Sequence, residues 1–262
     1  MFTGPRAGFL HGLPFCTHPL RCNRNRRKGW RIRANPLSWG SSNPEILVLG
    51  FSKGPTQAGA LAREPHDKIA CKGARPQAYN ILAHVGIVPP SADPGKAMDR
   101  LIADPNGRLA FGSLVRCTVE RFDPKQQIWV GTGGDMLGRF VASPFGQTVA
   151  GRCVEFFLGD LPEQTRLVIL YGMGNALSYV NAAESLICRA RSAPGWHRCD
   201  EVSYGDDAVT FVHVEHFRSQ GRLIPDWLGK LDEHGRERNP ERARLGRMAR
   251  AAVARAMEPR PA

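Results

Sequence analysis

The sequence predicts an α/β protein, a three-layer α/β/α sandwich around a central, mostly parallel, four-stranded sheet. Three observations predict it. Four short apolar runs, at 45–50, 109–119, 165–172 and 208–217, have the length and composition of buried strands. Stretches of helical period lie between them, which is the pattern of βαβ units. Glycines close the first and third runs, where an α/β sheet usually places its chemistry.

Taken in order, residues 1–42 are rich in Pro, Gly and Arg without a sustained period, and read as an irregular basic arm. "EILVLG" (45–50) is a strand bounded by Asn43-Pro44 and Gly50. "ARPQAYNILAHVGI" (74–87) places Tyr79, Leu82, Ala83 and Ile87 on one side of a helix that stops near Gly86. A loop with a short helix leads to the second strand, "LAFGSLVRCTV" (109–119), and then to a turn-rich excursion, "FDPKQQIWVGTGGDML". A helix over 145–162 stops at Gly159 and Pro162; a third strand follows at 165–172, then a helix through "NALSYVNAAESLICRA". The fourth strand, "AVTFVHVEHF" (208–217), gives way to helical "LIPDWLGKL". One domain is expected over 43–232, followed by a charged surface helix and tail over 233–262.

The chain has 262 residues and a net charge of +12, with 42% hydrophobic residues. No run approaches the ~18 apolar residues of a membrane helix, so no membrane partner is expected. The opening residues are apolar in places but broken by Pro and Gly and followed by arginines, the wrong order for a secretory signal. An exposed basic arm is the reading adopted, with a transit peptide as the alternative. The expected location is cytoplasmic and nucleoid-associated.

Such positive charge suits a phosphate backbone, although an Arg-rich genome would also produce it. "RCNRNRRKGWRIR" (21–33) holds Arg26, Arg27 and Lys28 beside Trp30 and contains no acid, a mix suited to backbone contact with some stacking. The expected partner is DNA, damaged or single-stranded, and no obligate protein partner is evident. Seven cysteines, an odd number, point to buried thiols or metal ligands rather than disulfides.

Several motifs are excluded by their residues. "GFSKGPT" (50–56) is no phosphate loop, because Gly54 precedes Pro55-Thr56 and Lys53 lies on the wrong side of the glycine. "YGMGNAL" (171–177) lacks the third small residue and the ribose-binding acid of a dinucleotide fingerprint, although a cofactor enzyme using Gly172 and Gly174 stays open. His213 and His216 stand three apart on a strand and so face opposite sides, which prevents chelation of one ion. His213 reads as a satisfied core residue. His216 sits at the carboxyl end of its strand and is the functional candidate.

In this order the elements resemble the uracil-DNA glycosylase superfamily, particularly the branch that carries an iron–sulfur cluster. "GFSKG" (50–54) stands where that branch has G-E-A-P-G, and "GARPQAYNILAHVGI" (73–87) is similar to its GRAGQLL…AGI helix. "LAFGSLVRC" (109–117) matches a strand of the form YITNVVKC, and "CVEFFLGDLPEQTRLVILYGMGNA" (153–176) echoes its C…FL helix and LG..A strand. "VHVEHFRS" ends where the family has H-P-S. The resemblance covers about residues 44–229.

What it implies is base flipping and hydrolysis of an N-glycosidic bond, with a histidine stabilising the departing base anion. His216 fits the histidine. Arg218 and Ser219 fall on the loop that meets DNA. Phe51 occupies the acid position and Ser52 the alternative water-holding position, while Ser113 replaces the base-reading asparagine, so three of four roles are changed. Phe51 and Ser113 would contact the base. Lys53 would contact phosphate or act as a Schiff-base nucleophile. Asp135 is the candidate for the missing carboxylate, with a helix N-cap as the alternative. Cys16, Cys22, Cys117 and Cys153 stand near the positions of four ligands to a 4Fe–4S cluster, although five residues separate the first two. Incidental thiols are the alternative. Cys71, Cys188 and Cys199 read as plain hydrophobes. A non-catalytic nucleic-acid-binding protein with the same fold is the second functional reading.

Overall fold

The computed structural model describes residues 26–27, 29–61, 63–131, 136–192 and 194–259. Cys16, Cys22, Lys28 and Asp135 lie outside the described residues.

The first strands are β1 (Arg26–Arg27), β2 (Trp30–Arg33), β3 (Trp39–Gly40) and β4 (Ile46–Gly50). Helices α1 (Pro55–Ala60), α2 (Arg75–His84) and α3 (Pro94–Ala103) follow. Next come β5 (Leu109–Ser113), β6 (Thr118–Asp123), β7 (Ile128–Gly131), α4 (Met136–Ala142) and α5 (Pro144–Leu158). The chain continues through β8 (Leu167–Tyr171), α6 (Ser178–Arg191), β9 (His197–Arg198), β10 (Ser203–Gly205) and β11 (Thr210–Val214). It closes with α7 (Leu223–Trp227) and α8 (Pro240–Met257).

The main sheet is seven-stranded, in the order β3-β5-β4-β8-β11-β10-β9. Its four central strands are mutually parallel, whereas β3, β10 and β9 pair antiparallel at the edges. The four expected strands are therefore the centre of a larger mixed sheet. The extra strands are two or three residues long, too short to carry a legible period, and short edges limit stray pairing. "ILVLG" and "LVILY" are apolar throughout because both faces of the centre are covered.

Tyr171 and His213 show the two covered faces. Tyr171 donates its hydroxyl to the Ala78 carbonyl of α2 at 3.0 Å, and α8 packs against β8 and β11. Tyr171 is in register with Val214, the neighbour of His213, so His213 points to the opposite face. There it meets the Tyr179 ring of α6 edge-on at 5.4 Å, and α6 packs on α5.

The expected strand over 109–119 divides in two. Its pairing with β4 ends where Ser113 stands opposite Gly50. Leu114 and Val115 then donate their amides to the Gly50 and Phe51 carbonyls, each at 2.8 Å, and the chain bends. From Thr118 it joins a second, antiparallel sheet, β1-β2-β6-β7. The described part of the turn-rich excursion forms the β6–β7 hairpin and the start of α4.

The described part of the expected arm is also structured. Trp30 and Trp39 are buried; Trp30 meets Phe140 edge-on at 5.3 Å rather than presenting a ring to nucleic acid. Arg31 and Arg33 bond the buried Glu120 at 2.5 and 2.7 Å. Residues 29–42 thus belong to the folded body. The expected C-terminal helix is present as α8, but its Ala243, Gly246, Ala249, Ala252 and Val253 are buried, which makes it part of the same body.

Helix starts follow legible signals. Asp93, Ser143 and Asn239 accept amides of the first turns of α3, α5 and α8, and each is followed by proline at the first helical position. Close packing is tested at Gly246, where an added Cβ would meet the Trp227 carbonyl oxygen at 2.0 Å. Gly246→Ala is expected to destabilise the fold by about 1–3 kcal/mol in urea unfolding. Gly151→Ala, with nothing within 4 Å of the new methyl, is expected to be neutral or stabilising.

Candidate functional site

A cleft of about 610 Å³ opens at the carboxyl ends of the parallel strands. It forms where β4 separates its two parallel neighbours, β5 on one side and β8 on the other. Every central strand contributes to it. Phe51 and Ser52 follow β4, Ser113 ends β5, Gly172 and Gly174 follow β8, and His216, Arg218 and Ser219 follow β11. The structure therefore gathers Phe51, Ser52, Ser113, His216, Arg218 and Ser219 around one cavity. Phe51 is buried, with its ring edge-on to Tyr179 at 5.7 Å and to Phe140 at 6.0 Å.

His216 lies two residues beyond the end of β11, on the loop rather than the strand. Its Nδ1 accepts the backbone N–H of Arg218 at 3.1 Å. A backbone amide can only donate, so the neutral ring must carry its proton on Nε2. Burial, reinforced by the Arg218 guanidinium, lowers the His216 pKa to about 4. At neutral pH the ring is therefore an uncharged N–H donor of fixed tautomer. It stacks on Phe217 at 4.6 Å, and Phe217 meets Tyr171 edge-on. Arg218 reaches the Gly73 carbonyl at 3.3 Å with Nη1, which places its exposed guanidinium beside the segment leading into α2.

Two residues that the sequence reading did not single out hold this loop. The buried carboxylate of Glu215 accepts the His216 amide at 3.0 Å and the Ser219 hydroxyl at 2.6 Å through Oε1. Its Oε2 pairs with the Arg242 guanidinium from the first turn of α8. Ser219, expected to meet DNA, thus spends its hydroxyl within the loop. Glu215 is the only carboxylate among the described residues lining the cleft, and both its oxygens are engaged. No local pattern announces a contact across 27 residues.

The loop after β8 is backbone-strained. Gly172 and Gly174 have positive φ, as do Ala176 and Leu177, which rarely adopt it. At Gly174 a Cβ would meet Ser178 Oγ and the Tyr179 amide nitrogen at 2.6 Å, so only glycine fits. Gly172 donates its amide to the Val214 carbonyl at 2.8 Å, which withdraws it from any cofactor phosphate. Its carbonyl accepts Nδ1–H of His213, and His213 Nε2 accepts the Tyr204 hydroxyl, both at 2.9 Å. His213 is thus a satisfied core residue, as expected, and burial lowers its pKa to about 4.

Lys53 corrects its expected role. It is fully buried, with Nζ donating to the Arg116 carbonyl, and so cannot meet DNA phosphate. It does not line the cleft, which also removes it as a nucleophile toward a bound sugar. Burial lowers its pKa to about 7; the Arg116 cation adds to the fall, and the Cys117 and Cys153 thiols oppose it. Arg116 is likewise buried, its guanidinium over the Phe157 ring at 4.6 Å. Buried Cys117 and half-buried Cys153 therefore both lie near Lys53 and Arg116, and neither lines the cleft. Cys71 is buried, with its thiol pushed up to about 12 by burial, as befits a plain hydrophobe, whereas Cys199 is exposed and does not fit that expectation. Arg26 and Arg27 pair through their backbones with Arg31 and Trp30. No helix among the described residues is long and apolar enough to cross a membrane.

The buried His213 and the half-buried His216 set an acid limit. Each has a folded pKa below its ordinary 6.5, so the stability that neutral His213 and His216 contribute is present above pH 6.5 and is lost as pH falls toward 4. For the fully buried His213 the loss is about 3 kcal/mol. Urea midpoints measured between pH 7 and pH 4 are expected to decline, and His213→Gln to flatten that decline. Comparison with family models, with curated proteins and with solved structures finds no match.

Proposed function

We propose that the protein is a divergent DNA-base glycosylase of the uracil-DNA glycosylase type, acting on a uracil-like or deaminated base flipped into the cleft. The observation that carries this reading is His216, a neutral imidazole whose tautomer is set by the Arg218 amide and whose Nε2 is left to donate in the cleft. The site residues that the resemblance carries over, Phe51, Ser52, Ser113 and His216, all line this cleft at the carboxyl ends of the parallel strands, which supports the same reading.

In this reading the base enters beside Phe51, and Ser113 and Ser52 offer hydroxyls to its edge. As the bond from the sugar C1′ to the base nitrogen breaks, its electron pair goes to the base. Nε2–H of His216 stabilises the resulting anion at the base carbonyl oxygen. Water adds to C1′, and its released proton neutralises the base. A neutral donor suits the task because it stabilises developing negative charge without first giving up a proton. The net charge of +12, with exposed Arg218 at the cleft mouth, supports DNA as the partner and a nucleoid-associated, cytoplasmic setting.

The iron–sulfur reading is part of the proposal. Cys117 and Cys153 fit such a group in residue type and position: both thiols interact electrostatically with Lys53 and Arg116, away from the cleft lining. They would hold it together with Cys16 and Cys22, and the group would supply a structural cross-link away from the cleft. Iron content and visible absorbance of anaerobically purified protein test this directly.

One observation favours a second reading, a non-catalytic DNA-binding protein. Phe51 fills the acid position, and the only described carboxylate of the cleft is fully engaged. End-labelled oligonucleotides containing uracil, hypoxanthine or xanthine, treated with protein and then alkali, separate the two. Cleavage is expected with at least one base, and His216→Ala is expected to lower it about 100-fold to 1,000-fold. Salt-sensitive binding without any cleavage would establish the second reading instead. Because the His216 pKa is about 4, its contribution is expected to be constant from pH 8 to pH 6 and to fall as pH approaches 4.

A further inference from the structure

We infer that Glu215 and Arg242 are a positioning pair that fixes the tautomer and placement of His216, so that α8 is part of the catalytic apparatus; this rests on the glycosylase reading. Glu215 gathers three donors, and all three belong to the His216 loop or to α8. Its Oε1 takes the His216 amide and the Ser219 hydroxyl, which closes the loop on both sides of the imidazole. Its Oε2 takes the Arg242 guanidinium. Within the ring so formed, the Arg218 amide is directed at Nδ1 of His216, and the Ser219 amide bonds the His216 carbonyl at 2.8 Å. A loop that turns this tightly has little reason to keep one histidine tautomer unless its amides are held in place.

The anchor at the other end is rigid. Arg242 sits three residues into a helix whose start is capped by Asn239, which accepts the Arg242 amide at 3.0 Å. Beyond it, buried Ala243, Gly246 and Ala249 fix α8 against the body. The Glu215 side chain is 6% exposed, and removing its cation would leave an uncompensated buried charge. The loop would then rearrange to solvate that charge, and the Arg218 amide would leave Nδ1.

Ring-nitrogen NMR of protein labelled with 15N-histidine at pH 7 reads this without any substrate. Wild type is expected to show His216 protonated on Nε2 alone, while Arg242→Met and Glu215→Gln each show mixed tautomers and Arg242→Lys restores the single form. In excision assays Arg242→Met is expected to lower kcat about 10-fold to 100-fold, by analogy with the loss of a group that orients a metal-bound histidine. KM for DNA is expected to change less than about twofold. A single Nε2–H tautomer in both Arg242→Met and Glu215→Gln would overturn the inference. So would a raised, salt-dependent KM with unchanged kcat in Arg242→Met, because Arg242 would then be a DNA contact. Glu215→Gln, which keeps Arg242 in place, separates these roles and serves if Arg242→Met does not fold. Should wild-type protein excise no base, the glycosylase reading fails, and the tautomer measurement still decides the role of the pair.

Discussion

The position of β4 between β5 and β8, parallel to both, is the constraint on which the rest of the molecule depends. A strand in that position is hydrogen-bonded along both edges and covered on both faces, which requires the unbroken apolar run of "ILVLG". It also aligns the carboxyl ends of four strands along one side of the sheet. Because the chain leaves β4 in one direction and returns to its other side later, the turns beyond those ends diverge and leave a crevice. The cleft is thus a consequence of strand order before any side chain is considered.

Around that crevice, polar groups are held by partners that restrict what they can do. His213 uses both ring nitrogens to tie the strained loop after β8 to β10, and so has no capacity left for chemistry. His216 uses one ring nitrogen to accept a backbone amide and retains the other as a donor. The two histidines share a sequence neighbourhood and a lowered pKa, yet their partners engage both ring nitrogens of one and only Nδ1 of the other. Glu215 shows the same logic. A carboxylate in a cleft invites assignment as a general base, but its oxygens already accept an amide, a hydroxyl and a guanidinium, which suits it to holding the loop.

Lys53 marks a limit of reading by position along a motif. In a turn beginning at a glycine the fourth residue could point outward to a phosphate or inward to the core, and local sequence does not distinguish these. Here the backbone stapling of Phe51 to Val115 carries the side chain toward Arg116, Cys117 and Cys153. Trp30 was misread for a related reason. An aromatic among arginines looks like a stacking surface, but its strand pairs with β6 and turns the ring onto Phe140.

By itself the sequence determined the central strands, the longer helices, and the residues at the strand ends, because apolar periodicity and glycine turns are written within a few adjacent residues. It marked Phe51, Ser52, Ser113 and His216 as site residues, and these do share one cleft. Only the tertiary structure decided that the sheet has seven strands, that Lys53 is buried, that residues 29–42 belong to the body, and that α8 reaches the site through Arg242. Each of those facts depends on pairing between segments far apart in the chain. A two-residue edge strand, or a guanidinium meeting a carboxylate 27 residues away, leaves no local period or cap to read.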